Sequence, residues 1–291
     1  MCYNPQKAHI IYDVQEIHPV LRFNTIFFFT VILFVGTLCV FAQADPPEKN
    51  EGKEPETRVT LTKEQAEGVQ VAESAIIVYS GLRGREGLSQ VRKTTVEIGK
   101  MRITNPDGTK NMSEYERRIL RGESLGDEKI RLDQKFPSAE YALVFNSGKV
   151  FGIFNNSTFT PREDAANSFR NQIWRGLEGL LRYKENGSTV SLEKTDKIMG
   201  VEFFIVVVTD KENRSTKFYA SKKSLRVMML EYEENGVNYQ RKFYDHNYAQ
   251  GTLVPYRTVL WADGKEVEET TISTITFGQI VEESVFSDGS A

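Results

Sequence analysis

The chain has 291 residues, with 37 Lys plus Arg against 40 Asp plus Glu and a formal charge of −3. Hydrophobic residues make up 40% and charged residues 26%, which excludes a disordered or collagen-like chain and leaves no basic excess for gripping nucleic acid. Two Cys and three His are the whole stock of thiol and imidazole, and four of those five lie before residue 45.

Residues 25–42, TIFFFTVILFVGTLCVFA, form an uncharged apolar run of 18, followed by Ala42-Gln43-Ala44 and a polar stretch. Apolar run, small-residue site and polar exit are the layout of a secretory signal peptide (1–44) cleaved after Ala44. The alternative is a retained membrane anchor over 25–42, since 18 residues just span hydrocarbon. Either way the sequence predicts an exported protein. Removing 44 of the 291 residues leaves 247 with no Cys and one His, His246. That excludes a disulfide framework, a Cys nucleophile and a Cys/His zinc site. His246 beside Asp245 reads as a surface turn histidine at a strand end, because no nucleophile elbow accompanies it.

Residues 45–60, rich in Pro and charge, read as a polar tether, and 61–291 as one domain. Thr62 and Gln65 form a predicted capping box, and Val69, Ala72, Ile76 and Tyr79 recur on one face of a helix that ends near Gly81. The glycines of Gly81-Leu82-Arg83-Gly84-Arg85-Glu86-Gly87 predict a helix-to-strand turn; a phosphate cradle would need the reverse order of elements. Strands are expected at 91–104, 110–121, 128–136, 140–146 and 149–154.

A second helix is expected over 161–185, capped by Thr160, with Pro161 as its first residue, Glu163 as reciprocal partner and Asn186-Gly187 as its stop. Ala166, Phe169, Ile173, Leu177, Leu180 and Leu181 are its apolar stripe. Strands follow at 189–195, 201–209, 215–220, 224–233, 237–245, 252–262 and 266–277, with Asn235-Gly236 and Asp263-Gly264 as hairpin turns. Short connections mean antiparallel pairing. The predicted class is mainly β (α+β): a strongly curved antiparallel half-barrel of about 11 strands with helices closing its concave face.

Several strands are apolar on both faces. Pairing across Ser147-Gly148 puts Tyr141, Leu143, Phe145, Val150 and Phe154 on one side and Ala142, Val144, Phe151 and Ile153 on the other. Residues 201–208 and 227–230 repeat the pattern. A one-sided sheet needs only one apolar face. The second must therefore be covered by the first helix or surround an apolar pocket.

The stretch from Asp196 to Phe286 resembles the C-terminal part of bacterial proteins of the outer-membrane lipoprotein carrier (LolA-like) family. The residues that carry the resemblance are Gly200 before an apolar strand, Gly251 and Pro255 leading into a late strand, Gly264 in the next hairpin and the closing Phe286. The first helix, its Gly-containing turn and the first strand fit the same group. The resemblance implies an eleven-stranded half-barrel in the periplasm or envelope of a bacterium, whose cavity shelters the acyl chains of lipids or lipoproteins. It implies no catalytic residue, metal or cofactor, and a monomer that also meets envelope proteins. On this reading Phe169, Ile173, Leu177 and Leu180 form a lid that faces Leu143, Phe145, Phe203, Ile205, Met228 and Leu230. The alternatives are an envelope sensor or protein-interaction domain on the same fold, and, behind both, a carboxylate-based hydrolase.

Overall fold

A computed structural model describes residues 60–287. The leader or anchor at 1–44, and all but the last residue of the tether, lie outside the described residues. Thirteen strands form a single curved, open sheet in which every pairing is antiparallel. The chain opens with α1 (Lys63–Tyr79) and α2 (Gly84–Val91). A first meander follows: β1 (Thr94–Thr104), β2 (Lys110–Leu120), β3 (Lys129–Lys135), β4 (Glu140–Asn146), β5 (Lys149–Phe154) and β6 (Ser157–Phe159). After α3 (Glu163–Trp174) and α4 (Leu177–Leu181) comes a second meander: β7 (Thr189–Ile198), β8 (Val201–Thr209), β9 (Ser215–Ser221), β10 (Val227–Glu234), β11 (Val237–Ala249), β12 (Thr252–Ala262) and β13 (Lys265–Phe277). β13 then pairs with β1 and joins the two meanders at the centre, leaving β6 and β7 as edges. The segment holding α3 and α4 must travel from one edge to the other, so it runs across a face of the sheet.

The capping box forms as expected: Gln65 N–H donates to Thr62 Oγ1 at 3.3 Å and Thr62 N–H to Gln65 Oε1 at 2.9 Å. Gly68 lets α1 sit directly on β7, since a Cβ there would lie 2.5 Å from the Ser191 carbonyl carbon. Five hairpins close on two residues with Gly second: Ser147-Gly148, Met199-Gly200, Asn235-Gly236, Gln250-Gly251 and Asp263-Gly264. Both turn residues have positive φ, the twist that suits a tight hairpin.

Four expectations need correction. Residues 84–91 are a helix, not a turn leading into a strand at 91; Ser80 Oγ caps its Gly84 N–H at 2.8 Å, and Leu88 plugs into the core. The helix over 161–185 is two, broken at Arg175-Gly176, with Arg162 rather than Thr160 in the cap position; Asp164 caps locally by accepting from Ala165 N–H at 2.9 Å. His246 lies inside β11, where Asp245 at φ 52° interrupts the register opposite β12. The strand count is thirteen rather than about 11: twelve spans were expected one by one, and Ser157–Phe159 adds a short edge strand to β5.

The two faces of the sheet have different covers. Arg131, Val144 and Asn146 share a face of β3 and β4. There Arg131 Nη1 donates to Val285 O at 3.0 Å and Asn146 Nδ2 to Phe286 O at 3.1 Å. A 3₁₀ turn at Glu283–Phe286 thus straps the outer face with the fully buried Phe286, and Val144 beneath is equally buried. The first helix covers the opposite, inner face at β7 and β8.

A central cavity with a charged belt

Two apolar cores lie between the helices and the inner face of the sheet. One packs Ala72, Ile76 and Tyr79 of α1 and Leu180 of α4 against Val206, Phe218, Leu230 and Phe243. The other packs Phe169 and Ile173 of α3 against Met101, Tyr115, Ile130, Leu143 and Phe145. Between them is a cavity of about 210 Å³, bounded by α3, α4 and the central strands β1–β3 and β11–β13. Its apolar wall includes Ile119, Ile130, Phe169, Ile173, Phe243 and Ile272.

Much of the rest of its wall is charged. Glu178, on α4, takes Arg92 Nη1 at 2.7 Å and Arg121 Nη1 at 2.6 Å. Both guanidiniums are only 7% exposed, while Glu178 is 26% exposed. Burial alone would raise Glu178, but the Arg121 and Arg92 charges overcome it and hold the carboxyl well below the usual carboxylate range. Arg182 pairs with the buried Glu128 and also donates to Gly122 O at 2.7 Å. Burial is the stronger influence at Glu128 and pushes it up to about 7.

Farther along the belt, Glu97 Oε1 accepts from Tyr115 Oη at 2.6 Å and Arg117 Nη1 at 3.4 Å. Gln172 of α3 then bridges two strands: its Oε1 accepts from Arg117 Nη2 at 3.2 Å and its Nε2 donates to Glu268 Oε2 at 3.3 Å. Arg241 Nη1 completes the chain on Glu268 Oε1 at 3.2 Å. α4 is therefore fixed by ion pairs, whereas α3 is held over the sheet by apolar contacts and by the amides of Gln172 and Asn171, the latter donating to Glu234. Each buried carboxylate is occupied by a guanidinium, which fits structural anchoring better than proton transfer. Among the described residues, no group of three or more His, Cys, Asp or Glu could hold a metal ion, and no helix is long and apolar enough to cross a membrane.

The chain is similar in structure to a LolA superfamily protein from Nitrosomonas europaea, with 12% identity, 76% of this chain and 97% of that chain covered, and a TM-score of 0.54. A DUF1329 family protein from Desulfovibrio piger matches over the same shares, at 13% identity and a TM-score of 0.52. No family model and no curated protein matches the chain.

The fold is LolA-like. The resemblance read from Gly200, Gly251, Pro255, Gly264 and Phe286 therefore has its fold in place.

Within this LolA-like sheet the ten residues singled out as cavity or lid part company. Phe169, Ile173, Leu143 and Phe145 meet in one core, and the first two line the cavity. Leu177 lines it as well, while Leu180 and Leu230 are fully buried in the other core. Phe203, Ile205 and Met228 do not face the lid. They pack with Tyr219 and Met229 on the opposite face, because Ile205 pairs with Tyr219 while its neighbour Val206 pairs with Phe218 under α1. The belt residues escaped sequence reading. The available signal was phase: Arg117 and Arg121 alternate with Tyr115 and Ile119 on the inward side of β2, and Glu178 interrupts an apolar stripe.

Proposed function

We propose that this chain is an extracytoplasmic, non-catalytic binder of amphiphiles whose acyl portion enters between α3 and the central strands. The observation that carries the reading is the cavity itself: a partly apolar space under a helix that no ion pair ties to the sheet among the described residues, beside one pinned by ion pairs. At about 210 Å³ it is smaller than the roughly 300–1,000 Å³ of ordinary ligand pockets. A long chain is therefore admitted as α3 swings about Arg175-Gly176, exposing Phe169 and Ile173 to it. Each methylene buried there contributes about 0.8 kcal/mol, enough for useful affinity without any reactive group. The apolar part of the ligand lies along the wall, and the belt receives its polar end.

The fold relatives support this reading by architecture alone. Its test is to purify the full chain from a bacterial envelope fraction, extract it and identify co-purifying lipid by mass spectrometry, then titrate with a fluorescent fatty acid. Phe169→Asp and Ile173→Asp are expected to abolish uptake while the far-ultraviolet circular dichroism stays unchanged. A lipid-free protein that takes up no fluorescent chain would sink the proposal.

A further inference from the structure

All strands being antiparallel, the turns fall at two ends of the sheet. One end carries Met199-Gly200, the loop 222–226, Gln250-Gly251 and the exit from β13 at Gly278. The turn between α1 and α2 joins them, since Gly81 is packed against the Gly251 carbonyl. The three most exposed large hydrophobic residues in the described structure are all on this rim: Met199 at 99%, Ile280 at 93% and Leu82 at 82%. Ile77, Val201 and Tyr248, each about half exposed, lie beside them.

Backbone geometry shows that these residues are not incidental turn fillers. Eleven non-glycine residues have positive φ, and eight are Ser, Asn, Asp or Gln. The other three are Leu82 at 72°, Met199 at 47° and Leu225 at 55°, and all three belong to this rim. The left-handed region costs a bulky side chain roughly 1–2 kcal/mol, and Asn or Gly fills it far more readily. In the four other X-Gly hairpins the first residue is polar; at Met199 a large apolar side chain stands in the same place and faces solvent. Folding gains nothing from that choice, so strain and exposure together point to an external partner.

The charge around the knobs says which partner. Lys197, Lys222, Lys223 and Arg83 are exposed and Arg226 is half-buried. Among the described residues none of the five forms an ion pair, although Lys194 and Arg257 close by do. Glu202, Glu86, Asp245 and, beside Ile280, Glu282 and Glu283 are the exposed acids that offset them in part; Asp245 is paired with Arg257 and Glu283 with Lys129. Apolar side chains ringed by unpaired cations match an anionic bilayer surface, with hydrocarbon below and phosphate above.

We infer that the rim built by Leu82, Met199 and the 222–226 loop docks this protein on an anionic lipid bilayer. Met199 and Leu82 enter the interface, while Lys222, Lys223 and Lys197 meet the head groups. The docking is independent of whether the central cavity takes a ligand.

The test uses the full chain bound to vesicles of phosphatidylcholine and phosphatidylglycerol whose acyl chains carry bromine. An indole is introduced by Met199→Trp, with Val201→Trp as a neighbouring variant in case the turn rejects the larger ring. Met112→Trp, half exposed at the opposite end of the sheet, is the control. Bromine is expected to quench the Met199→Trp and Val201→Trp indoles and to leave the Met112→Trp indole at the level of the parent chain. Rim contact is expected to weaken about fivefold for each cation removed in Lys222→Ala and Lys223→Ala, and comparably when phosphatidylglycerol is left out. Equal quenching at both ends would overturn the inference, because other segments would then hold the chain to the bilayer. Rim indoles that ignore lipid but shift on adding a purified envelope protein would overturn it too, and would make the rim a protein surface.

Discussion

Glu178 is the residue whose loss the described structure should tolerate least. Its carboxylate accepts from two guanidiniums at 2.7 and 2.6 Å, and each guanidinium is 7% exposed. Glu178→Leu removes both charge-assisted bonds and strands two cations where water scarcely reaches. Breaking a buried pair from one side costs about 3–5 kcal/mol, most of it the penalty of the charge left behind. Residual support for Arg92 from the Leu253 carbonyl at 2.7 Å, and the 26% exposure of Glu178, place the expected loss toward the lower bound. Glu178→Gln keeps an acceptor for one arginine and should cost about 2 kcal/mol. The triple variant Arg92→Met, Arg121→Met, Glu178→Leu removes the stranded charges and should recover most of the stability. Urea unfolding followed by tryptophan fluorescence measures all three. A Glu178→Leu protein within 1 kcal/mol of the parent chain, or a triple variant worse than Glu178→Leu alone, would refute the belt as an electrostatic anchor for α4.

Three further outcomes are expected. Gly68→Ala improves helix propensity by about 1 kcal/mol, yet it drives a methyl into the Ser191 backbone, so a net loss of about 1–2 kcal/mol should appear in thermal melts. Phe286→Ala empties the strap over β3 and β4 and should cost about 3–5 kcal/mol, with faster amide exchange at Val144 than at Val206. Burial, aided by Arg226, holds His246 below its ordinary pKa of 6.5, so the unfolded chain takes a proton that the folded one refuses. The stability tied to that neutral imidazole is full above about pH 6.5 and is lost as pH falls. The parent chain should therefore lose more stability than His246→Gln between pH 7 and pH 5; equal slopes would place the imidazole in solvent.

Legibility from sequence followed the range of the forces. Hairpins are local, so Asn235-Gly236, Asp263-Gly264 and Ser147-Gly148 announced themselves, and alternation located the paired strands. Met199-Gly200 went unread as a turn because Met offers no turn chemistry. α2 was hidden because Gly84 and Gly87 mimic a loop, and what makes 84–91 helical is Leu88 in the core and a cap supplied by Ser80 from outside. The belt was least legible. Arg92 and Glu178 are 86 residues apart, and only a sheet that curves under α4 makes them neighbours. Faces were read correctly on β4 and β5, where the hairpin fixes the register. Phe203 and Ile205 went to the wrong side because a strand apolar on both faces gives no phase from which to choose.

The seam between β1 and β13 has a consequence for how the molecule is made. The first and last strands pair at the middle of the sheet, across some 180 residues, as at Val96 and Thr276. A chain emerging from its N-terminus must therefore present the inner edge of β1 unpaired until the last strand arrives. That edge is long and holds open backbone donors, the kind of template that captures a second nascent copy. Closure at such separation is slow. Loss of β13 would remove the strand that joins the two meanders rather than trim a margin, leaving only the helices and their ion pairs to link the halves.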